Sequence, residues 1–227
     1  MTKSILRKYA KLIVQMGVNI KKGQGAVILA DTAQSEIALM VAEEAYRAGA
    51  KWVDIRWTNQ DLDKMRYKKE SVKVLSATQE WEKARMQYEL DELPVRIWID
   101  SDDPDGLKGV NVEKMQKANL ARMKVRKPYR DAMENKYQWT IVAVPSAKWA
   151  KKVFPHETKS RAVEKLWEAI LATSRVTEDP IAAWQAHNQD LHDRCAYLNS
   201  LHIRSLHYTA ENGTDLKPLF DTILKYV

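Results

Sequence analysis

Histidine and cysteine are the side chains here best suited to metal chemistry, and their spacing does not favour a metal site. The single cysteine, Cys195, excludes an intramolecular disulfide and a cysteine cage. No two histidines stand at the i, i+4 spacing that places two imidazoles on one helix face, and His187 and His192 lie roughly 140° apart on a helix. The histidines are His156, His187, His192, His202 and His207. We therefore predict no metal-ligating residue.

An acidic loop at Asp100, Asp102, Asp103 and Asp105 resembles a calcium loop only in composition. It lacks the glycine at the sixth position and the glutamate at the twelfth that such loops carry. An Asp-Pro-Asp-Gly turn explains these residues more simply. The chain also has no Gly-x-Ser-x-Gly elbow, so no catalytic residue is predicted.

A nucleotide site is weakly supported. A dinucleotide-binding fold needs its glycines after the first strand, whereas Gly23 and Gly25 precede it. The segment from Asp31 to Ser35 does follow that strand, at the end of a parallel sheet where ligands bind. A small-molecule or nucleotide-binding domain therefore stays open as an alternative function.

Positive charge is concentrated in one segment of the chain. The net charge is +7, and residues 117–152 contain ten Lys or Arg against two acidic residues. Such a segment could contact a polyanion or a partner, although charge runs are more often a solvated helix face, so specific nucleic-acid binding is not expected. The candidate contact residues are Arg122, Arg126, Lys127, Lys148, Lys151 and Lys152.

Strand and helix patterns alternate along the chain, which predicts an α/β fold with a mainly parallel sheet of about five strands and helices on both faces. Short apolar or alternating runs bounded by turn residues mark the strands. The predicted strands are 26–30, 51–57, 95–100, 137–145 and 203–209. Asn212-Gly213 should turn the last of them back towards a partner strand.

Helical periodicity is clearest in the segment that Asp179-Pro180 opens, where apolar residues follow at spacings of three and four. This pattern predicts a buried face and makes Cys195 an inert core residue. A long helix from about Asn111 should end or kink at Pro128. Two or three short helices are expected between Asp61 and Glu92.

No run approaches the eighteen or so apolar residues that a membrane span requires. The N-terminus carries Lys and Arg among its apolar positions, unlike a signal peptide. We expect a cytoplasmic protein that makes no membrane contact.

Six segments in register carry a resemblance to a known family. They are GVNIKKGQGAVI, EEAYRAGAKWVDIRW, PSAKWAKKVFP, EKLWEAILATSRV, EDPIAAWQAHNQDLHDRCAYLNSLHIRSLHY and GTDL. From about Leu6 to Leu216 the chain resembles the thermophilic metalloaminopeptidase family of the aminopeptidase T and aminopeptidase S type.

The resemblance implies that residues 1–212 form the N-terminal α/β domain of such a protein. In the family, a following catalytic domain holds two divalent ions, zinc, cobalt or magnesium, which activate a water that releases N-terminal amino acids from peptides. The tail, residues 213–227, would stand where that domain begins, so this chain alone is expected to be inactive and to hold no cofactor.

The tail departs from the family pattern, because KPLFDTILKYV has the spacing of a short amphipathic helix. The residues expected to face the absent domain are Leu216, Leu219, Phe220 and Ile223. We expect them to fold back on this domain or to pair with a second copy, which would make a homodimer.

Overall fold

The computed structural model describes residues 1–217 and divides the chain into two compact units, Met1–Ile181 and Ala182–Val227. The helices are α1 (Lys3–Leu12, continued by a π-helical turn over Ile13–Gly17), α2 (Ser35–Arg47), α3 (Gln60–Lys69), α4 (Val72–Ser76), α5 (Glu80–Glu92), α6 (Val112–Met133), α7 (Ala147–Val153), α8 (Lys159–Thr173) and α9 (Pro180–Ser200). The strands are β1 (Gly25–Asp31), β2 (Trp52–Thr58), β3 (Val95–Asp100), β4 (Trp139–Ala143), β5 (Tyr208–Thr209) and β6 (Asp215–Leu216).

A four-stranded parallel sheet forms the centre of the first unit, in the order β2-β1-β3-β4. Leu29 pairs with Trp98, which pairs in turn with Ile141, so these three side chains form one row across the sheet. The predicted α/β fold with a parallel sheet is confirmed, as are short helices between residues 61 and 92.

One face of the sheet is buried beneath helices. Ala26, Ile28 and Ile97 have no exposed surface, and they lie on the side where α2 packs against β1 and β2. The Tyr9 hydroxyl of α1 donates to the carbonyl oxygen of Ala143 at 3.1 Å, which ties this helix to the end of β4. The core of the unit therefore lies between α1, α2 and the sheet.

The opposite face is covered in part by α5, through a buried ion-pair cluster. Glu89 is 3% exposed, and its two carboxylate oxygens accept from Arg56 of β2 and Arg96 of β3. On the same face the Tyr88 ring packs against Trp52, with centroids 5.9 Å apart. A Cβ at Gly25 would come within 2.2 Å of that Trp52 ring, so β1 must begin without a side chain.

The prediction of a fifth strand at 203–209 in the parallel sheet is wrong. Within the described part of the second unit, only Tyr208–Thr209 is a strand from that segment, and it pairs antiparallel with Asp215–Leu216. The predicted turn is confirmed, since Gly213 adopts a φ of 88°, which glycine accepts without strain. A tight turn favours a local hairpin over a distant crossover.

The helical segment after Asp179 begins at Pro180 as predicted, but its apolar residues are not buried. Leu191 is 46% exposed, Leu198 is 52% exposed, and Cys195 is exposed rather than a core residue. Spacing identified an amphipathic face, but it does not show whether residues within 1–217 cover that face.

Pro128 does not end the long helix, because α6 runs through it to Met133. None of the helices in the described range combines the length and apolar composition needed to cross a membrane.

Candidate functional site

An open groove lies on the sheet face that α5 leaves uncovered, and its lining extends from Trp139 at the start of β4 to Asp100 at the end of β3. It has a volume of about 490 Å³, and most of its wall is apolar or aromatic. The Trp98 and Trp139 rings meet edge to face, with centroids 6.4 Å apart. This sheet groove is lined by Leu29, Thr58, Trp98, Ile99, Asp100, Asp102, Tyr137, Trp139 and Ile141.

A second, polar cavity of about 460 Å³ adjoins the groove, since Asp102 lines both. It sits where β1, β2, β3 and β4 end, the position at which parallel sheets bind ligands. This strand-end cleft is lined by Asp31, Thr32, Ala33, Asn59, Gln60, Asp61, Ser101, Asp102, Asp103, Ser146, Ala147, Lys148 and Lys159.

Hydrogen bonds between the loops hold the strand-end cleft in shape. The Gln60 side chain donates to the Asp103 carbonyl at 3.0 Å and accepts from the Asp103 amide at 3.1 Å. Asn59 donates to the Thr32 hydroxyl at 3.0 Å and also caps α3. The loops after β1, β2 and β3 are thus fastened together.

The acidic loop is organised by its own backbone. Asp100 accepts from the Asp102 amide at 3.3 Å, and Asp103 accepts from the Asp105 amide at 3.0 Å, as the predicted turn requires. Within residues 1–217 no group of three or more His, Cys, Asp or Glu side chains is arranged to hold a metal ion. The residues described therefore do not fit the metal centre of the family, and we derive no catalytic step from them.

Asp102 is the carboxylate in this region whose ionisation the protein opposes. Burial raises its pKa, and the negative charges of Asp100, Asp31 and Asp63 raise it further. Lys148, which lines the strand-end cleft, approaches Asp61 at 3.4 Å and Asp103 at 3.9 Å. The same negative charges that raise the pKa of Asp102 disfavour the phosphates of a nucleotide beside it.

The six basic residues predicted to contact a polyanion do not form one surface. Lys148 and Lys152 both pair with the acidic loop, Lys148 with Asp103 and Lys152 with Asp105. The hydrogen bond from Lys152 lowers the pKa of the Asp105 carboxyl. Lys151 donates to the carbonyl oxygens of Pro155 and Glu157 at 2.7 and 2.6 Å.

The other three lie together on α6, in a groove of about 280 Å³. Arg122 donates to the Ala77 carbonyl and pairs with buried Glu82. Burial raises the pKa of the Glu82 carboxyl, but the hydrogen bonds from the Gln79 amide and the Arg122 guanidinium outweigh burial and lower the pKa overall. Lys127 pairs with Asp131. The pKa of Arg126 is lowered by burial and by the neighbouring charge of Arg122. Most of this charge is already neutralised within the chain.

Of the residues predicted to face an absent domain, Leu216 lies in β6 and is 58% exposed. Leu219, Phe220 and Ile223 lie outside the described residues.

Sequence reasoning missed the sheet groove. The segments containing Trp98, Trp139 and Ile141 were predicted to be strands of a sheet covered by helices on both faces. In such a sheet these side chains would be buried core residues without a binding role. Alternation in WTIVA, with two large apolar residues on the same side of an edge strand, was the available signal.

Comparison with known proteins identifies the family. Residues 2–221 match the thermophilic metalloprotease (M29) family. Aminopeptidase AmpS of Bacillus subtilis (strain 168) and aminopeptidase T of Thermus thermophilus are each 36% identical over 213 residues. Each match covers 93% of this chain and 52% of the relative.

A solved structure agrees with this result. Wild-type AmpT from Thermus thermophilus matches with a TM-score of 0.80 at 33% identity, over 95% of this chain and 53% of that one. The chain spans about half the length of the curated relatives it matches, and the predicted resemblance is confirmed. The chain belongs to the thermophilic metalloprotease (M29) family.

Proposed function

We propose that this chain is the N-terminal, non-catalytic half of an aminopeptidase that releases N-terminal amino acids from peptides, and that it is inactive alone. Two divalent ions, zinc, cobalt or magnesium, would be held by residues beyond this half. The observation that carries the proposal is the match itself, which spans nearly all of this chain and about half of proteins named aminopeptidase. A cytoplasmic location is part of the same proposal.

The role we assign to this half is to form one wall of the peptide-binding cavity. Its strand-end cleft and sheet groove are open, and they adjoin at a single residue, Asp102. Hydrogen bonds between the loops keep that surface in one shape, which a wall beside a reacting peptide requires.

The test is release of free amino acids from leucine-initiated peptides by the purified chain, with zinc, cobalt or magnesium added in turn. We expect no release, because two metal ions that activate a water need several carboxylates and imidazoles converging on them. Full-length aminopeptidase T of Thermus thermophilus under identical conditions is the positive control.

A second measurement tests the role of the chain. Aminopeptidase T lacking its matching N-terminal half should lose release of amino acids, and a fusion that restores this chain in its place should regain it. Metal-dependent release by the isolated chain, surviving repurification, would refute the proposal.

A further inference from the structure

The groove on α6 is formed by one face of that helix. Its lining residues follow one another at spacings of three and four, which places them on the same side of a helix. They are Asn119, Arg122, Met123, Arg126, Lys127 and Arg130. The groove has a volume of about 280 Å³, whereas pockets for drug-sized molecules measure roughly 300 to 1,000 Å³. A ligand here would be a small ion, or one group of a larger molecule.

Three arginines of this groove stand one helical turn apart. Arg122, Arg126 and Arg130 occupy successive i, i+4 positions, where like charges repel one another and destabilise a helix. The same helix also uses this spacing favourably, since Lys127 pairs with Asp131. A row of like charges along a groove is an arrangement that a bound anion would stabilise.

Arg122 is held in a fixed position at one end of the row. Its guanidinium donates to the Ala77 carbonyl oxygen at 2.6 Å and pairs with Glu82, and its side chain is 21% exposed. A guanidinium has five N–H donors, so donors remain for a ligand after these two contacts. Because Arg122 is already ordered, a ligand that it binds costs little further side-chain entropy.

Arg126, one turn further along, lacks a counter-charge. Within residues 1–217 it takes part in no ion pair, whereas Lys127 and Arg130 both pair with Asp131, Arg130 at 3.5 Å. The four cations of the groove therefore face two carboxylates, those of Glu82 and Asp131. Two positive charges remain in excess.

The electrostatics of Arg126 agree with this description. Burial lowers the pKa of its guanidinium, and the positive charge of Arg122 lowers it further, although the carboxylate of Glu82 opposes the change. A second negative charge beside Arg126 would favour its charged form.

The excess charge and the available donors select the ligand. Guanidinium groups bind phosphate and carboxylate oxygens through two parallel hydrogen bonds. A phosphate monoester carries a charge of about −1.5 to −2 at pH 7 and three strong acceptor oxygens. It therefore matches two excess positive charges, whereas a single carboxylate matches only one.

We propose that the groove on α6 binds a dianionic phosphate group, free or as a monoester, through Arg122 and Arg126. Arg122 is the fixed donor, and Arg126 gains the counter-charge that residues 1–217 do not supply. The inference goes beyond the proposed function and does not depend on it.

A phosphorus-31 NMR titration of the chain measures this binding, with chloride holding the ionic strength constant so that general screening does not change. The probes are inorganic phosphate, glycerol 3-phosphate and dimethyl phosphate. We expect dimethyl phosphate, which carries one charge, to bind about tenfold or more weakly than the better of the other two. Tighter binding of glycerol 3-phosphate assigns the site to a monoester, and equal or tighter binding of inorganic phosphate assigns it to the free ion.

Two variants of α6 separate a site from general positive charge. Arg126→Gln should weaken phosphate binding about tenfold or more, because it removes charge-assisted hydrogen bonds. The matched control, Lys124→Gln, removes one positive charge from an exposed residue roughly 200° around the helix from Arg126, and it should leave the affinity within about twofold of the parent.

Thermal unfolding gives a second measurement. Arg126→Gln removes a charge that repels its neighbours, so without phosphate its Tm should equal or exceed that of the parent. Added phosphate should raise the Tm of the parent and of Lys124→Gln, because it binds their folded state, and should leave the Tm of Arg126→Gln unchanged.

Equal phosphate affinity in the parent and Arg126→Gln would overturn the inference, and so would equal weakening in Arg126→Gln and Lys124→Gln. The same holds if no probe binds at millimolar concentration, or if dimethyl phosphate binds as tightly as the dianions. Tighter binding of an oligonucleotide than of either dianion at physiological salt would also overturn it, since the surface would then recognise nucleic acid. None of these results bears on amino acid release, by which the proposed function is tested.

Discussion

The buried carboxylate of Glu89 provides the sharpest test of how the sheet is held to α5. We consider Glu89→Gln, which keeps the size of the side chain and removes its charge. Glu89 has a 4% exposed side chain and faces Arg56 and Arg96, whose side chains are 20% and 17% exposed. The Arg96 ε nitrogen is already buried without a partner, so the arginine has no ready replacement for the lost carboxylate.

The expected loss follows from leaving the partly buried Arg96 guanidinium without its counter-charge, whereas Arg56 keeps Asp54 at 2.9 Å. Removing one partner of a buried ion pair costs about 3 to 5 kcal/mol of unfolding free energy. In a protein of this size, each kcal/mol lowers Tm by about 2 to 4 °C, so we expect a fall of about 6 to 20 °C.

Thermal unfolding followed by circular dichroism measures this change. The matched control is Glu43→Gln, which removes a carboxylate from an exposed pair with Arg47 that is worth about 1 kcal/mol or less. Equal shifts in the two variants would refute the reasoning, since burial would then contribute nothing to the Glu89 cluster.

Two further predictions concern charge. The pKa of Asp102 is higher in the folded chain than its ordinary value of 3.8. Ionisation of Asp102 therefore lowers the unfolding free energy as pH rises from 3.8 through the raised pKa, and this loss is absent only below pH 3.8. Asp102→Asn should therefore unfold at a higher temperature than the parent at pH 7, with a difference that shrinks as pH falls towards about 4; a difference independent of pH would contradict this. For the groove on α6, we expect weak binding of a labelled oligonucleotide that disappears at moderate salt. Arg126→Gln should weaken it more than Lys127→Gln, because Lys127 is already paired with Asp131; tight, sequence-selective binding at physiological salt would favour a nucleic-acid function instead.

The sequence predicted the elements of the parallel sheet well because each has a local signature. The run AVILA and the alternation in VRIWID belong to strands whether or not their neighbours are known. Of the two outcomes predicted at Pro128, an end to the helix is wrong, because α6 continues to Met133, and a kink stays a prediction.

The candidate site was harder to predict because the sheet groove exists only where no helix covers that face of the sheet. Trp139 and Ile141 have the composition of covered strand residues, and their exposure becomes visible only once α5 is seen to bind β2 and β3, through Arg56 and Arg96. The Asp100 and Asp102 pair was attributed to a turn, which is correct for its backbone. Whether their carboxylates found cations depended on where Lys148 and Lys152 would reach.

The strand order has a consequence for how the chain folds during synthesis. β1 can pair early with β2, the next strand in the sequence. The other edge of β1 stays unpaired until β3 has been synthesised, because Ala26 of β1 pairs with Val95 of β3. Until that later segment leaves the ribosome, the most apolar strand of the protein presents unpaired backbone groups to its surroundings. Pairing between sequence-distant strands is slow. We therefore expect aggregation during expression to compete with this step, and slower translation through α3, α4 and α5 to lengthen the vulnerable interval.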